Sequence, residues 1–169
     1  MENKEKKTKD SSPMKSLLVL YSYHHHNTEK IAKIIAKVLD AEIKTPQQIK
    51  PEELLEYDLL GFGSGIYSAK HHESLLELAD ELPQVTGREA FLFSTSGMTG
   101  DAKAAKDHAT LKKKLELKGY ILIDEFQCKG FNTNSFLKLF GGMNKGRPNA
   151  HDLKNAEDFI KSIKRTQGS

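Results

Sequence analysis

The chain has 169 residues, 37% of them hydrophobic and 29% charged, with a net charge of +3 and one cysteine. That suffices for one compact domain, excludes an intramolecular disulfide framework, and leaves no apolar run long enough to span a bilayer. The first fifteen residues hold five lysines against three acids, so the rest is close to neutral and gives no reason to expect nucleic acid as a partner.

Residues 1–15 are polar and read as a disordered tail. They lack the apolar stretch of a secretory signal, and the lone Cys128 fits a reducing compartment, so a cytoplasmic location is expected. From residue 16 to about 165 the chain reads as one domain. Leu17, Leu18, Val19, Leu20 and Tyr21 form a continuous apolar run, the pattern of a strand buried on both faces. Ile31, Ile34, Ile35, Val38 and Leu39 then recur at helical spacing. A weak edge strand follows at 42–44, and Pro51 opens a short helix through Leu55.

Residues 59–62 read as a third strand and 75–82 as a helix closed by Pro83. A fourth buried strand covers 90–93. A lysine-rich helix then turns Leu111 and Leu115 inward and stops at Gly119. The fifth strand starts at 121–123 and grows polar at Asp124 and Gln127, as a partly exposed edge would. Leu153, Ala156, Phe159, Ile160 and Ile163 form the last helix. Five strands alternating with five helices imply right-handed βαβ units, a parallel sheet and helices on both faces.

Function in such a sheet sits at the carboxyl ends of the strands. That directs attention to loops 22–28, 63–72, 94–100 and 128–147. The first, Ser22-Tyr23-His24-His25-His26-Asn27-Thr28, combines hydroxyls with a helix start, an anion cradle. No Gly-Lys-[Ser/Thr] or G-x-G-x-x-G motif occurs, which excludes a nucleoside triphosphate loop and a dinucleotide fingerprint. In the second loop, small residues allow a flat ring to approach the backbone, and Tyr67 offers a stacking face. A phosphoacceptor receiver domain would need paired acids after strand one and an Asp after strand three. Ser22-Tyr23 and Gly63-Ser64 stand there instead.

Residues 22–33, with Asn27-Thr28-Glu29-Lys30-Ile31-Ala32 at their centre, resemble the phosphate loop and first helix of flavodoxins. Ser22, Asn27 and Thr28 match the family pattern; the turn is one residue longer, and histidines replace its Thr-Gly. Ser64-Gly65-Ile66-Tyr67-Ser68 resembles the loop on one side of the flavin ring, with Tyr67 at the stacking position and Ser68 where a glycine is common. Ser94-Thr95-Ser96-Gly97-Met98 is similar to the loop on the other side, with Met98 as its one polarizable side chain.

The resemblance implies a three-layer fold with strand order 2-1-3-4-5 and bound FMN. It implies electron transfer with redox partner proteins, or alternatively an FMN-dependent oxidoreductase of quinone or porphyrinogen type on the same fold. The histidines depart from the family pattern: because loop 22–28 has no glycine to bring all its amides close, at least one imidazole of His24, His25 and His26 is expected to reach the phosphate, with affinity rising as pH falls from about 8 to 6.5. Serine in place of glycine at position 68 is expected to hinder a left-handed backbone there. Five of the seven histidines fall in loops 22–28 and 63–72, but consecutive residues rarely converge on one ion, and no metal site is expected. Cys128 is expected to be buried and inert. Phe136, Leu137, Leu139 and Phe140 suit a lid, a docking surface or a turn covering the core.

Overall fold

The computed structural model describes residues 12–133 and 135–168, with the backbone alone for Ser135 and Phe136. The expectations for residues 1–11 and for the Phe136 side chain lie outside it. Five parallel strands form the sheet: β1 (Ser16–Tyr21), β2 (Glu42–Lys44), β3 (Leu59–Tyr67), β5 (Arg88–Ser96) and β6 (Tyr120–Lys129). Their order is β2-β1-β3-β5-β6, and a short strand β4 (Lys70–His71) pairs antiparallel with the end of β3. Leaving β4 aside, the path is the expected 2-1-3-4-5. Among the described residues, four α-helices cover the faces: α1 (Asn27–Leu39), α2 (Glu73–Glu81), α3 (Asp101–Leu117) and α4 (Ala150–Gln167). The expected helix after Pro51 is a 3-10 helix over Pro51–Glu56, so among the described residues four α-helices stand where five were anticipated.

Alternation along the strands sorts the core into two halves. Leu17, Val19, Leu60, Phe62, Ala90 and Leu92 face α2 and α3. Leu18, Leu20, Leu59, Phe91 and Phe93 face α1 and α4. The glycines of β3 belong to this packing. A Cβ on Gly61 would lie 2.5 Å from Phe91 Cζ, and one on Gly63 would lie 2.1 Å from Phe93 Cε2. The flat rings that approach the backbone at these two positions are therefore phenylalanines of β5.

Three expected loops are shorter than the sequence implied. β3 runs on to Tyr67 because its ladder with β5 continues to Gly65↔Thr95 and a hairpin then folds back onto β4. β5 extends through Ser96, and Asn27 and Thr28 already belong to α1. A register shift between Ala90 and Phe91 in the β5–β6 ladder brings Glu125 opposite Leu92 and Gln127 opposite Ser94, on the α3 face.

Candidate functional site

At the carboxyl ends of β1, β3 and β5 lies a narrow cleft of about 60 Å³, room for a few waters. Of the residues singled out above, it gathers Ser22, Tyr23, His24, Asn27, Thr28, Gly65, Ile66, Tyr67, Thr95, Ser96 and Gly97. Gly130, Phe131 and Asn132 complete the wall.

One end is built around the start of α1, whose first-turn amides and dipole favour an anion. Ser22 Oγ accepts the Glu29 amide at 3.2 Å, which leaves its own proton free to donate. Thr28 Oγ1 and Thr95 Oγ1 lie 2.9 Å apart, so one donates to the other and the second retains a proton for a ligand. Asn27 Nδ2 donates to the Phe131 carbonyl at 2.8 Å, which turns Oδ1 to the other side as a buried acceptor with no partner. Gly130 makes this latch possible: a Cβ there would sit 2.8 Å from Asn27 Nδ2.

The three histidines have separate surroundings. His24 lines the cleft, its ring tilted 6.3 Å from that of Tyr67. His25 Nε2 bonds Thr133 Oγ1 at 2.8 Å and its ring packs on Phe131, while His26 Nδ1 meets Glu29 Oε2 at 2.8 Å. His25 and His26 both adopt left-handed backbone, φ 54° and 51°. This is a conformation that non-glycine residues enter at a cost.

At the other end, Tyr67 stands in an aromatic group. His72 stacks flat on Tyr21, with centroids 3.5 Å apart and planes within 9°, and both present edges to Tyr67. Burial, then the neighbouring Tyr21, raises the Tyr67 phenol above its ordinary value. The hairpin turns at Ser68 and Ala69, both left-handed at φ 49° and 59°. A two-residue hairpin loop with two positive φ angles is a type I′ turn, so Ser68 adopts the geometry its side chain was expected to hinder. Its side chain lies away from the cleft, on a second hollow of about 320 Å³ shared with Tyr67, Lys70 and His72.

Ser64 and Ser94 do not reach the cleft. Strand alternation turns both toward α2 and α3, where Ser64 meets His71 and Ser94 meets His108. Met98 is 67% exposed beside the site.

The strap after β6 folds back on itself through the Asn132↔Met143 bridge. Asn144 Nδ2 donates from it to the Gly97 carbonyl at 2.7 Å, tying it to the loop after β5. Its tip leaves Leu139 and Phe140 exposed, so these two do not serve as a core cover. Gly130, Phe131 and Asn132 were missed as wall residues. Within the strap, Gly130-Phe131-Asn132 follows the end of a strand directly, and that placement was the available signal.

Cys128 is buried, and burial followed by Asp152 pushes its thiol up to about 12, against the opposing Arg147. Among the described residues, no group of three or more His, Cys, Asp or Glu side chains is gathered to hold a metal ion. No helix there is long and apolar enough to cross a membrane.

The fold is similar to that of oxidised flavodoxin 2 from Bacillus cereus, with a TM-score of 0.68 at 17% identity, covering 90% of this chain and 99% of that one. It is also similar to a flavodoxin from the domain Archaea, with a TM-score of 0.62 at 16% identity, covering 92% of this chain and all of that one. At these identities the likeness establishes the fold alone. In sequence, an uncharacterised protein of Methanocaldococcus jannaschii is 46% identical over 150 residues, which is 89% of this chain and 98% of the relative. The sequence model of the flavodoxin domain matches residues 18–134. With more than half of its length so matched, the chain belongs to the flavodoxin domain family.

Proposed function

We propose that the chain binds FMN at this cleft and serves as a carrier of electrons between redox partner proteins. The observation that carries the reading is the unpartnered, buried Asn27 Oδ1 beside the start of α1. A buried acceptor calls for a donor, and an anion would not satisfy it. FMN offers both kinds of group: ribityl hydroxyls that donate, and a phosphate that accepts.

In this reading the phosphate takes the first-turn amides of α1 with the Ser22 and Thr28 hydroxyls, and His24 adds a cation when protonated. The cleft's volume is too small for a three-ring heterocycle, so the flavin ring lies on the open rim. There Gly65, Ile66 and Tyr67 flank it on one side, with Thr95, Ser96, Gly97 and Met98 on the other. Ser64, Ser68 and Ser94 act on the ring through the strand and turn they hold. FMN supplies reversible electron uptake; the protein's part is to bind, orient and shield it. Tyr23 and Met98 beside the cleft, and Leu139 and Phe140 at the tip of the strap, are exposed apolar side chains that suit contact with a partner protein. A cytoplasmic setting agrees with the lone thiol.

A second reading, an FMN-dependent oxidoreductase, draws on the hollow beside Tyr67, which has room for a small substrate. The visible spectrum of the protein loaded with FMN, followed by stepwise reduction, separates the two. A carrier gives up its electrons to a protein acceptor, whereas an enzyme is reoxidised quickly by a quinone alone. Absence of any bound flavin spectrum contradicts both readings.

A further inference from the structure

Behind Tyr67 lies a buried polar cluster that the cleft does not use, and its hydrogen bonds fix where each proton sits. Ser64 Oγ is 2.7 Å from the Gly65 carbonyl, 3.0 Å from the His72 amide nitrogen and 3.0 Å from His71 Nδ1. The carbonyl can only accept, so it takes the single hydroxyl proton. The amide can only donate, and His71 Nδ1 must therefore donate as well. His71 Nε2 is thus a bare lone pair, buried and without a partner. Ser94 Oγ accepts from Gln127 Nε2 at 3.1 Å and gives its proton to His108 Nε2 at 2.7 Å. His108 Nδ1 then donates to Glu125 Oε2 at 3.1 Å.

The two imidazoles lie 4.9 Å apart, centroid to centroid, and both are neutral in this arrangement. Burial, then His108, holds His71 well below the ordinary histidine value. Burial also lowers His108, although Glu125 and Asp107 pull the other way and Lys103 adds to the lowering. His72 and Glu73 stand next along the chain at the start of α2.

We propose that His71 is a positioning residue: through Ser64, its Nδ1–H holds the hairpin that carries Tyr67, and it does so only while the His71–His108 pair is uncharged. Ser64 ties together the end of β3, β4 and the amide that opens α2, so this one hydroxyl sets the hairpin's angle. A proton added to His71 goes to Nε2, where no acceptor exists and a second imidazole faces it. A buried unpaired cation is costly, so the ring leaves its place and releases Ser64. The role in ligand binding rests on the flavin reading above; the role in holding the hairpin does not.

The test uses the full chain as wild type, His71→Asn and His71→Leu. Two quantities are followed from pH 7.5 down to the lowest pH at which the chain stays folded: backbone amide shifts of residues 66–70 without ligand, and affinity for riboflavin. Riboflavin has no phosphate, so neither phosphate protonation nor His24 acting on it enters the profile. An asparagine amide can donate to Ser64 where Nδ1 did, but cannot be protonated. In wild type the hairpin amides hold their positions near pH 6.5 and shift only well below it, where affinity falls about tenfold, the worth of one buried hydrogen bond. His71→Asn keeps the wild-type affinity at pH 7.5 within about threefold and loses both pH responses. His71→Leu binds about tenfold more weakly even at pH 7.5; should it fail to fold, His71→Asn decides. A His71→Asn protein that still titrates like wild type overturns the proposal. If no protein binds riboflavin or FMN but the amide shifts behave as stated, the positioning role stands and the flavin reading falls.

Discussion

The two ends of the cleft are held by different means. At the α1 end a buried Thr28–Thr95 hydroxyl pair is joined by contacts that reach outward: Asn27 to the Phe131 carbonyl, His25 to Thr133, His26 to Glu29. Two residues there, His25 and His26, sit in left-handed backbone without being glycine. At the Tyr67 end the support is buried, through Ser64, His71, Ser94 and His108. An end that must close on a charged group gains from adjustable side chains, whereas an end that presents a ring face needs a fixed angle. The first is cheap to alter; the second transmits any change in its buried charges to the hairpin.

The largest expected effect comes from striking the frame that both ends share. Gly63→Ala places a methyl into the Phe93 ring, a clash that costs roughly 3 kcal/mol or more if the sheet holds its register. Urea denaturation should record that loss. An unchanged midpoint would mean that Phe93 moves aside freely and that the glycine serves another purpose.

Tyr67→Ala strikes one end alone. Flavin affinity should fall by about 1–3 kcal/mol, by analogy with aromatic stacking on bases, and FMN and riboflavin should lose equally. A loss confined to FMN would move the ring elsewhere and place Tyr67 near the phosphate.

Acid sharpens the contrast because the Tyr67 end carries two histidines whose charging burial opposes. His71 and His108 are held below their ordinary value, so the unfolded chain binds more protons than the fold below about pH 6.5. Their contribution to stability is therefore full above that pH and is lost as pH falls. The slope approaches about 1.4 kcal/mol per pH unit for each imidazole that stays neutral in the fold. Denaturation at pH 7.5, 6.5 and 5.5 measures it, and a flat profile would contradict the buried pair.

Ala69→Gly relieves a left-handed alanine in the hairpin turn and should stabilise by about 1 kcal/mol. Thermal melting reads this; a loss of stability would show that the Ala69 methyl has packing value. The smallest effect is at Cys128. With its thiol pushed up to about 12, it should resist alkylation at pH 8 in the native protein and react once denatured. Rapid native labelling would contradict its burial.

Much of this was legible in the sequence because a buried parallel sheet leaves a strong pattern. Residues 17–21, 59–62 and 90–93 announced their strands through unbroken apolar runs, and helices α1, α2 and α4 through their spacing. The strand ends were not legible, because Gly63-Ser64-Gly65 looks like a loop until its ladder with β5 is known. Alternation could have separated Ser64 and Ser94 from the cleft residues: Phe62 and Leu92 face α2 and α3, and so must residues two further on. The β6 register shift that aims Glu125 at His108 leaves no trace in composition, and neither does the latch between Asn27 and Phe131.

The central claim is that one end of the cleft is made for a phosphate, and fluorescence titration of the flavin-free protein with FMN and with riboflavin at pH 7 tests it most directly. FMN should bind tighter by at least about tenfold, the worth of one charge-assisted hydrogen bond at the start of α1. Equal affinities for the two flavins would contradict it.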